Sequence, residues 1–189
     1  MKAPMHALTA LVLSFFLPSV YAQETDTDHA GKARAAMKAL RPMAGEWVAQ
    51  SSLWRDGGWT EPETDRATIN FMLNDLALRE RFPERSQSSV RMETTIQFDQ
   101  YRDIYRLMAL DDSWGNMDVY EGEMVEPGKL VFTNIRPGTF ALGKDGEEYA
   151  FKLTFSIESR ESHSLLVEIS TNRGKSWTNF QKIERTRLG

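Results

Sequence analysis

Among the residue types that do chemistry in proteins, this chain of 189 residues offers many carboxylates, three histidines and no cysteine. Thiol catalysis and thiolate metal sites are therefore excluded, and nitrogen ligands are too few for zinc. His163 has no nucleophile in a recognised setting, so no serine–histidine–acid triad can be assembled. Ser162-His163-Ser164 reads as the turn before a strand, with a solvated histidine. The carboxylates gather at Asp111, Asp112, Asp118, Glu121 and Glu123. Asp111 and Asp112 are adjacent, so on a strand they point to opposite faces. Glu121 and Glu123 share a face; buried, they would form a pair with raised pKa values, and on an outer face they are simply solvated. No glycine-rich loop that would cradle a phosphate is present.

The remaining candidates offer binding. Trp114-Gly115-Asn116 and Arg136-Pro137-Gly138-Thr139-Phe140 fall in links between strand-like segments. Aromatic residues in such links line the mouth of a barrel, and an arginine there orients an anionic head group. The same residues can instead pack a loop over the end of a core. The candidate ligand-binding residues are Tyr105, Trp114, Tyr120, Arg136 and Phe140, with a small, largely apolar molecule as ligand. No catalytic residue, metal or cofactor is assigned.

The elements that would position them are legible from periodicity. Ala33, Ala36, Met37 and Leu40 recur at i, i+3, i+4 and i+7 and predict one short amphipathic helix over 28–41, capped by Asp28 and ended by Pro42. Beyond Ala44 the helical period gives way to ten strand-like segments, near 45–55, 65–73, 76–82, 89–98, 102–110, 117–125, 129–135, 147–158, 163–171 and 176–186. Turn residues separate them, among them Asp56-Gly57-Gly58, Asn74-Asp75, Pro127-Gly128, Lys144-Asp145-Gly146 and Asn172-Arg173-Gly174. Tyr149, Phe151, Leu153, Phe155 and Ile157 alternate with mostly polar neighbours, as strands with one buried face do. The expected fold is all-β: an antiparallel up-and-down barrel of about ten strands with one short N-terminal helix. A sandwich is the alternative, and closure, which removes exposed edges, favours the barrel.

Lys2, the apolar run Ala7–Leu17 and the compact Val20-Tyr21-Ala22 form the three parts of an export signal. A run of eleven residues is too short for a membrane span. Cleavage after Ala22 would leave 189 − 22 = 167 residues, a length that suits one domain. The expected organisation is a signal peptide at 1–22, a flexible start and capping helix at 23–43, and a barrel domain at 44–189, placed in the periplasm or outside the cell. The formal charge of −4 without a basic cluster argues against nucleic acid or an anionic membrane as partner. No integral membrane span is expected, and no protein partner is assigned.

Gly45-Glu46-Trp47, opening the first strand straight after the helix, resembles the glycine-x-tryptophan signature of the lipocalin and calycin superfamily. That resemblance implies a tryptophan closing one barrel end, with a basic residue of the last strand packed across it. Arg185 and Arg187 are both placed for this, and Arg185 is the expected one. Met92 to Asp99, Tyr101, Tyr105 and Asp112-Ser113-Trp114-Gly115 resemble a bacterial family of exported lipocalin-like barrels of undefined function. The family implies the fold and no chemistry. Haem-binding barrels of related architecture use one histidine near their C-terminal strands, which makes His163 a haem candidate. Ser170 to Trp177 resembles the Asp-box hairpin, with Asn172 in place of the usual aspartate, and implies a structural turn. The leading expectation is an exported binding barrel; the alternative is an envelope structural or interaction protein without ligand. A haem barrel or a barrel enzyme ranks below both.

Overall fold

The computed structural model describes residues 29–82, 92–112 and 115–189. The export signal, the start of the chain through Asp28, and Trp114 lie outside the described residues. Helix α1 spans Gly31–Lys38, and a turn of 3-10 helix at Arg41–Met43 carries Pro42 at a position where its missing N–H costs nothing. Ala33, Met37 and Leu40 are buried along one face, as their spacing requires. The residue preceding the helix is Ala30, which offers no side-chain cap. Gln100 meets the helix start instead: its Oε1 accepts the Ala33 N–H at 3.3 Å, and its Nε2 donates to the His29 carbonyl at 2.6 Å.

Among the described residues twelve strands follow: β1 Gly45–Arg55, β2 Gly58–Trp59, β3 Glu63–Met72, β4 Ala77–Arg81, β5 Met92–Asp99, β6 Ile104–Asp111, β7 Met117–Glu126, β8 Lys129–Thr133, β9 Ala141–Leu142, β10 Glu148–Ile157, β11 Ser162–Ser170 and β12 Thr178–Arg187. Ten of them form a closed antiparallel barrel in the order β1-β3-β4-β5-β6-β7-β8-β10-β11-β12, with β12 returning to β1. The two-residue strands β2 and β9 are side pairings on β1 and β10. Closure leaves the ten long strands without an unpaired edge, which decides for the barrel over the sandwich.

Strand alternation fills the half of the barrel nearest the helix with apolar side chains. Trp47, Ala67, Ile69, Leu107, Leu130, Phe132 and Phe155 are buried there beneath Met37, Leu40 and Met43. Trp47 Nε1 donates to the Met43 carbonyl at 2.9 Å, so the indole is satisfied where it plugs the end. The cation across Trp47 is Arg187, whose guanidinium carbon lies 4.4 Å from the ring centroid, and not Arg185. Register is the reason: Trp47 pairs opposite Arg187, while Arg185 falls opposite Ala49. Arg187 also donates to the Ala44 and Pro42 carbonyls and so ties the last strand to the chain entering the first. Gly45 is suited to this crossing, because a Cβ there would lie 2.0 Å from Arg187 Nη1.

The Asn172 hairpin is built as its sequence reads. Asn172 Oδ1 accepts from the Ser176 N–H and the Ser170 hydroxyl, and Gly174 supplies a φ of 82°.

Candidate functional site

Solvent access along the inner wall changes from one end of the barrel to the other. Strands β1, β6, β8 and β11 start at the helix-capped end, and β3, β5, β7, β10 and β12 start at the far end, as their antiparallel pairings dictate. Along β10 the inward positions run from Phe155, 2% exposed, through Leu153 to a half-buried Phe151. Along β1, Trp47 and Ala49 are fully buried, whereas Ser51 and Leu53 are half-buried. Phe180, at the irregularity in the β11–β12 pairing, is half-buried too and meets Phe151 edge-on at 5.8 Å. Inward-facing side chains are thus sealed under the helix, while Ser51, Leu53, Phe151 and Phe180 toward the far end are half-buried.

A buried ion pair lies between these halves. Arg185 on β12 and Glu80 on β4 are 2% and 6% exposed. Both Nε and Nη2 of Arg185 donate to Glu80 Oε1, at 2.8 and 2.7 Å. Arg185 Nη1 has no hydrogen-bond partner among the described residues. Beside Glu80, Met43, Ile69, Leu78, Thr94, Ile96 and Phe155 enclose about 10 Å³, room for no more than one water. Two further polar sets belong to the far half. Gln181 Nε2 donates to Ser51 Oγ at 2.8 Å, and the Tyr120 hydroxyl donates to Asp118 Oδ2 at 3.2 Å. Burial raises the Tyr120 pKa, and the Asp118 charge raises it further, so the phenol stays protonated and remains a donor. Burial also raises Asp118; the hydrogen bond from Tyr120 opposes this and the nearby Asp111 charge adds to it.

His163 is not a solvated turn residue. It is the second residue of β11, points inward in phase with Leu165 and Val167, and is 1% exposed. Its ring packs edge-on against Trp47 at 4.4 Å, and neither nitrogen has a hydrogen-bond partner among the described residues. Burial, reinforced by the charges of Arg185 and Arg187, lowers its pKa to about 3, so the imidazole is neutral. Haem does not fit here. The ring is walled in by Trp47, and the space enclosed beside Glu80 is about 10 Å³, against the roughly 300 Å³ or more of an ordinary ligand pocket.

The sequence-derived candidates disperse. Tyr105 faces inward at the helix-capped end, where its hydroxyl donates to the Ala36 carbonyl at 2.9 Å. Tyr120 lines the lumen. Arg136 lies on the link after β8, 77% exposed at its side chain, with Nε 3.3 Å from Glu121 Oε2 on the outer face. Phe140 is covered by Arg173, 5.5 Å from its centroid. That link is fixed by Asn134, fully buried, which donates to the Thr139 carbonyl and accepts from the Phe151 N–H. Trp114 lies outside the described residues. Glu121 and Glu123 belong to the outer face, where Glu121 pairs with Arg106 at 2.8 Å. Sequence reasoning missed Glu80, Phe151, Phe180 and Gln181 as neighbours. Inward phase marks Phe151, but its company depends on long-range register.

The fold defines the class: a closed ten-stranded antiparallel β-barrel, plugged at one end by Trp47 beneath the helix. A solved structure of the same architecture is that of Rv2717c from M. tuberculosis, with a TM-score of 0.54 at 13% identity over 82% of this chain and 98% of that one. At that identity the likeness is one of fold. No family model and no curated protein sequence matches the chain. Among the described residues no helix is long and apolar enough to cross a membrane.

Proposed function

We propose that this is an exported binding protein that holds a small, largely apolar ligand in the far half of its barrel. One observation carries the reading: inward-facing Phe151 and the Phe180 packed on it stay half-buried, while their counterparts under the helix are sealed. Apolar rings left accessible inside a closed wall are surface that a ligand can cover, at about 25 cal/mol for each Å² removed from water. Tyr120 with Asp118, and Gln181 with Ser51, supply the few polar groups that orient one end of such a ligand. The Glu80–Arg185 pair forms the floor.

Export is supported by the Lys2, Ala7–Leu17 and Val20-Tyr21-Ala22 pattern, with residues 1–22 removed and the barrel domain beginning near residue 44. Kinship with lipocalin-like barrels is supported by the order of helix, Gly45-Glu46-Trp47 and first strand, and by Arg187 across Trp47. Solvent extraction and mass spectrometry of protein purified from its native compartment should reveal a copurifying small molecule, in amounts approaching one per chain. Repeated preparations that extract empty would sink the reading.

A further inference from the structure

We propose that the ligand of the far half carries a cationic head, a protonated amine, which sits against Asp118 while its apolar part covers Phe151 and Phe180. The inference rests on the reading of the far half as a binding lumen and names the chemistry of its occupant. Side chains on a strand alternate between two faces, so the buried residues fix which positions point inward. On β7 the inward phase is that of Tyr120, 4% exposed, and it includes Asp118. On β3 it is that of Ala67 and Ile69, and it includes Asp65. The two acids stand on walls separated by β4, β5 and β6, and both are half-buried. Neither forms an ion pair among the described residues.

The cations of the surrounding strands are turned away. Arg66, Arg79, Arg81, Lys152 and Lys182 take outward positions, each next to an inward one, and Arg55 ends β1 exposed at its hairpin turn. Arg185, the inward arginine between the two halves, is held by Glu80. The apolar rings lie close to Asp118. Glu121 pairs opposite Thr133, which puts Asn134 beside Tyr120, and Asn134 exchanges hydrogen bonds with the Phe151 backbone. Asp118 is therefore one inward position nearer the far end than the row that holds Tyr120 and Phe151. The Tyr120 hydroxyl fixes its carboxylate through Oδ2, which leaves Oδ1 to accept from an ammonium N–H. Burial raises the Asp118 pKa, as it does for a half-buried carboxylate that no cation faces. A ligand ammonium would supply that cation, and the aromatic rings beside it would add to the attraction. An anionic head would instead meet Asp65 and Asp118 as like charges.

The test is displacement of N-phenylnaphthylamine, a neutral probe, from the purified mature protein by decylamine, decanol and decanoate. The three share one chain length, and the amine is charged at about pH 7 as a lysine is. An ion pair at a half-buried carboxylate is worth about fivefold in affinity, so decylamine should bind about fivefold more tightly than decanol, and decanoate least. Each affinity is taken against the same variant's own affinity for the probe. Asp118→Asn, which keeps an acceptor for Tyr120, should bring the amine-to-alcohol ratio to about one, and Asp118→Glu should retain the preference. Glu123→Gln, at an exposed outward position of β7, should leave the ratio as it was. Probe binding with decylamine no better than decanol, or an amine preference that survives Asp118→Asn, overturns the cationic head and leaves the lumen reading standing. Absence of saturable probe binding sinks the lumen reading, and this inference with it.

Discussion

Replacing Glu80 by alanine is expected to destabilise the barrel by about 3–5 kcal/mol, a large share of the roughly 5–15 kcal/mol that holds a domain folded. The reason lies on the partner strand. Arg185 cannot lose its charge, is 2% exposed and directs two N–H groups at Glu80 Oε1. Without Glu80 that guanidinium is left buried and unpaired among apolar neighbours. The attraction within the pair is not itself the source of stability, since desolvating both ions offsets much of it. The double change Glu80→Leu with Arg185→Met should therefore recover most of the loss. Urea unfolding at constant m reads both effects. A Glu80→Ala variant within about 1 kcal/mol of the parent would show that water reaches the guanidinium and that the pair is no dry floor.

The second large effect is acid sensitivity from His163. Its folded pKa of about 3 lies below the ordinary 6.5, so below pH 6.5 the unfolded chain takes up a proton that the folded barrel refuses. The folded state keeps its full advantage above pH 6.5, loses it progressively as pH falls, and the decline ends near pH 3. The total is on the order of 4–5 kcal/mol, of which about 2 kcal/mol falls between pH 7 and pH 5, before most carboxylates titrate. His163→Leu should flatten that upper limb. At pH 7 it should be neutral or stabilising, because two unpartnered buried ring nitrogens are removed along with the edge-on contact to Trp47. Denaturant midpoints of parent and variant at pH 7, 6 and 5 decide it, and parallel slopes would mean that His163 is solvated.

Local pattern and long-range register account for what the sequence revealed and what it hid. Each of the ten strand-like segments overlaps a barrel strand, and β1 begins and ends at Gly45 and Arg55 as expected. Alternation and turn residues are local signals, and an up-and-down topology needs little else. Identifying Arg187 rather than Arg185 as the cation over Trp47 needs more. The two arginines are two residues apart on one strand and share a face, so only the pairing of β12 with β1 chooses between them. The same holds for Glu80 and Arg185, 105 positions apart and joined across the lumen. His163 was legible in part: its phase with Leu165 and Val167 marks an inward position, which the flanking serines disguise as a turn. Arg136 and Phe140 do occupy a link at the far end. Their side chains engage Glu121 and Arg173, contacts that spacing does not reveal.

Whether the far half of the lumen receives an apolar ligand can be read with a neutral apolar fluorophore such as N-phenylnaphthylamine. Titration should give saturable binding of about one probe per chain. Phe151→Arg with Phe180→Arg, in a variant shown to remain folded, should weaken it by more than about tenfold, as two charges in place of two rings imply. Val125→Arg, on an exposed position of β7, should leave it unchanged. Saturable binding lost with the phenylalanine pair and kept with Val125→Arg is the predicted result; no saturable binding, or binding indifferent to Phe151 and Phe180, contradicts the claim.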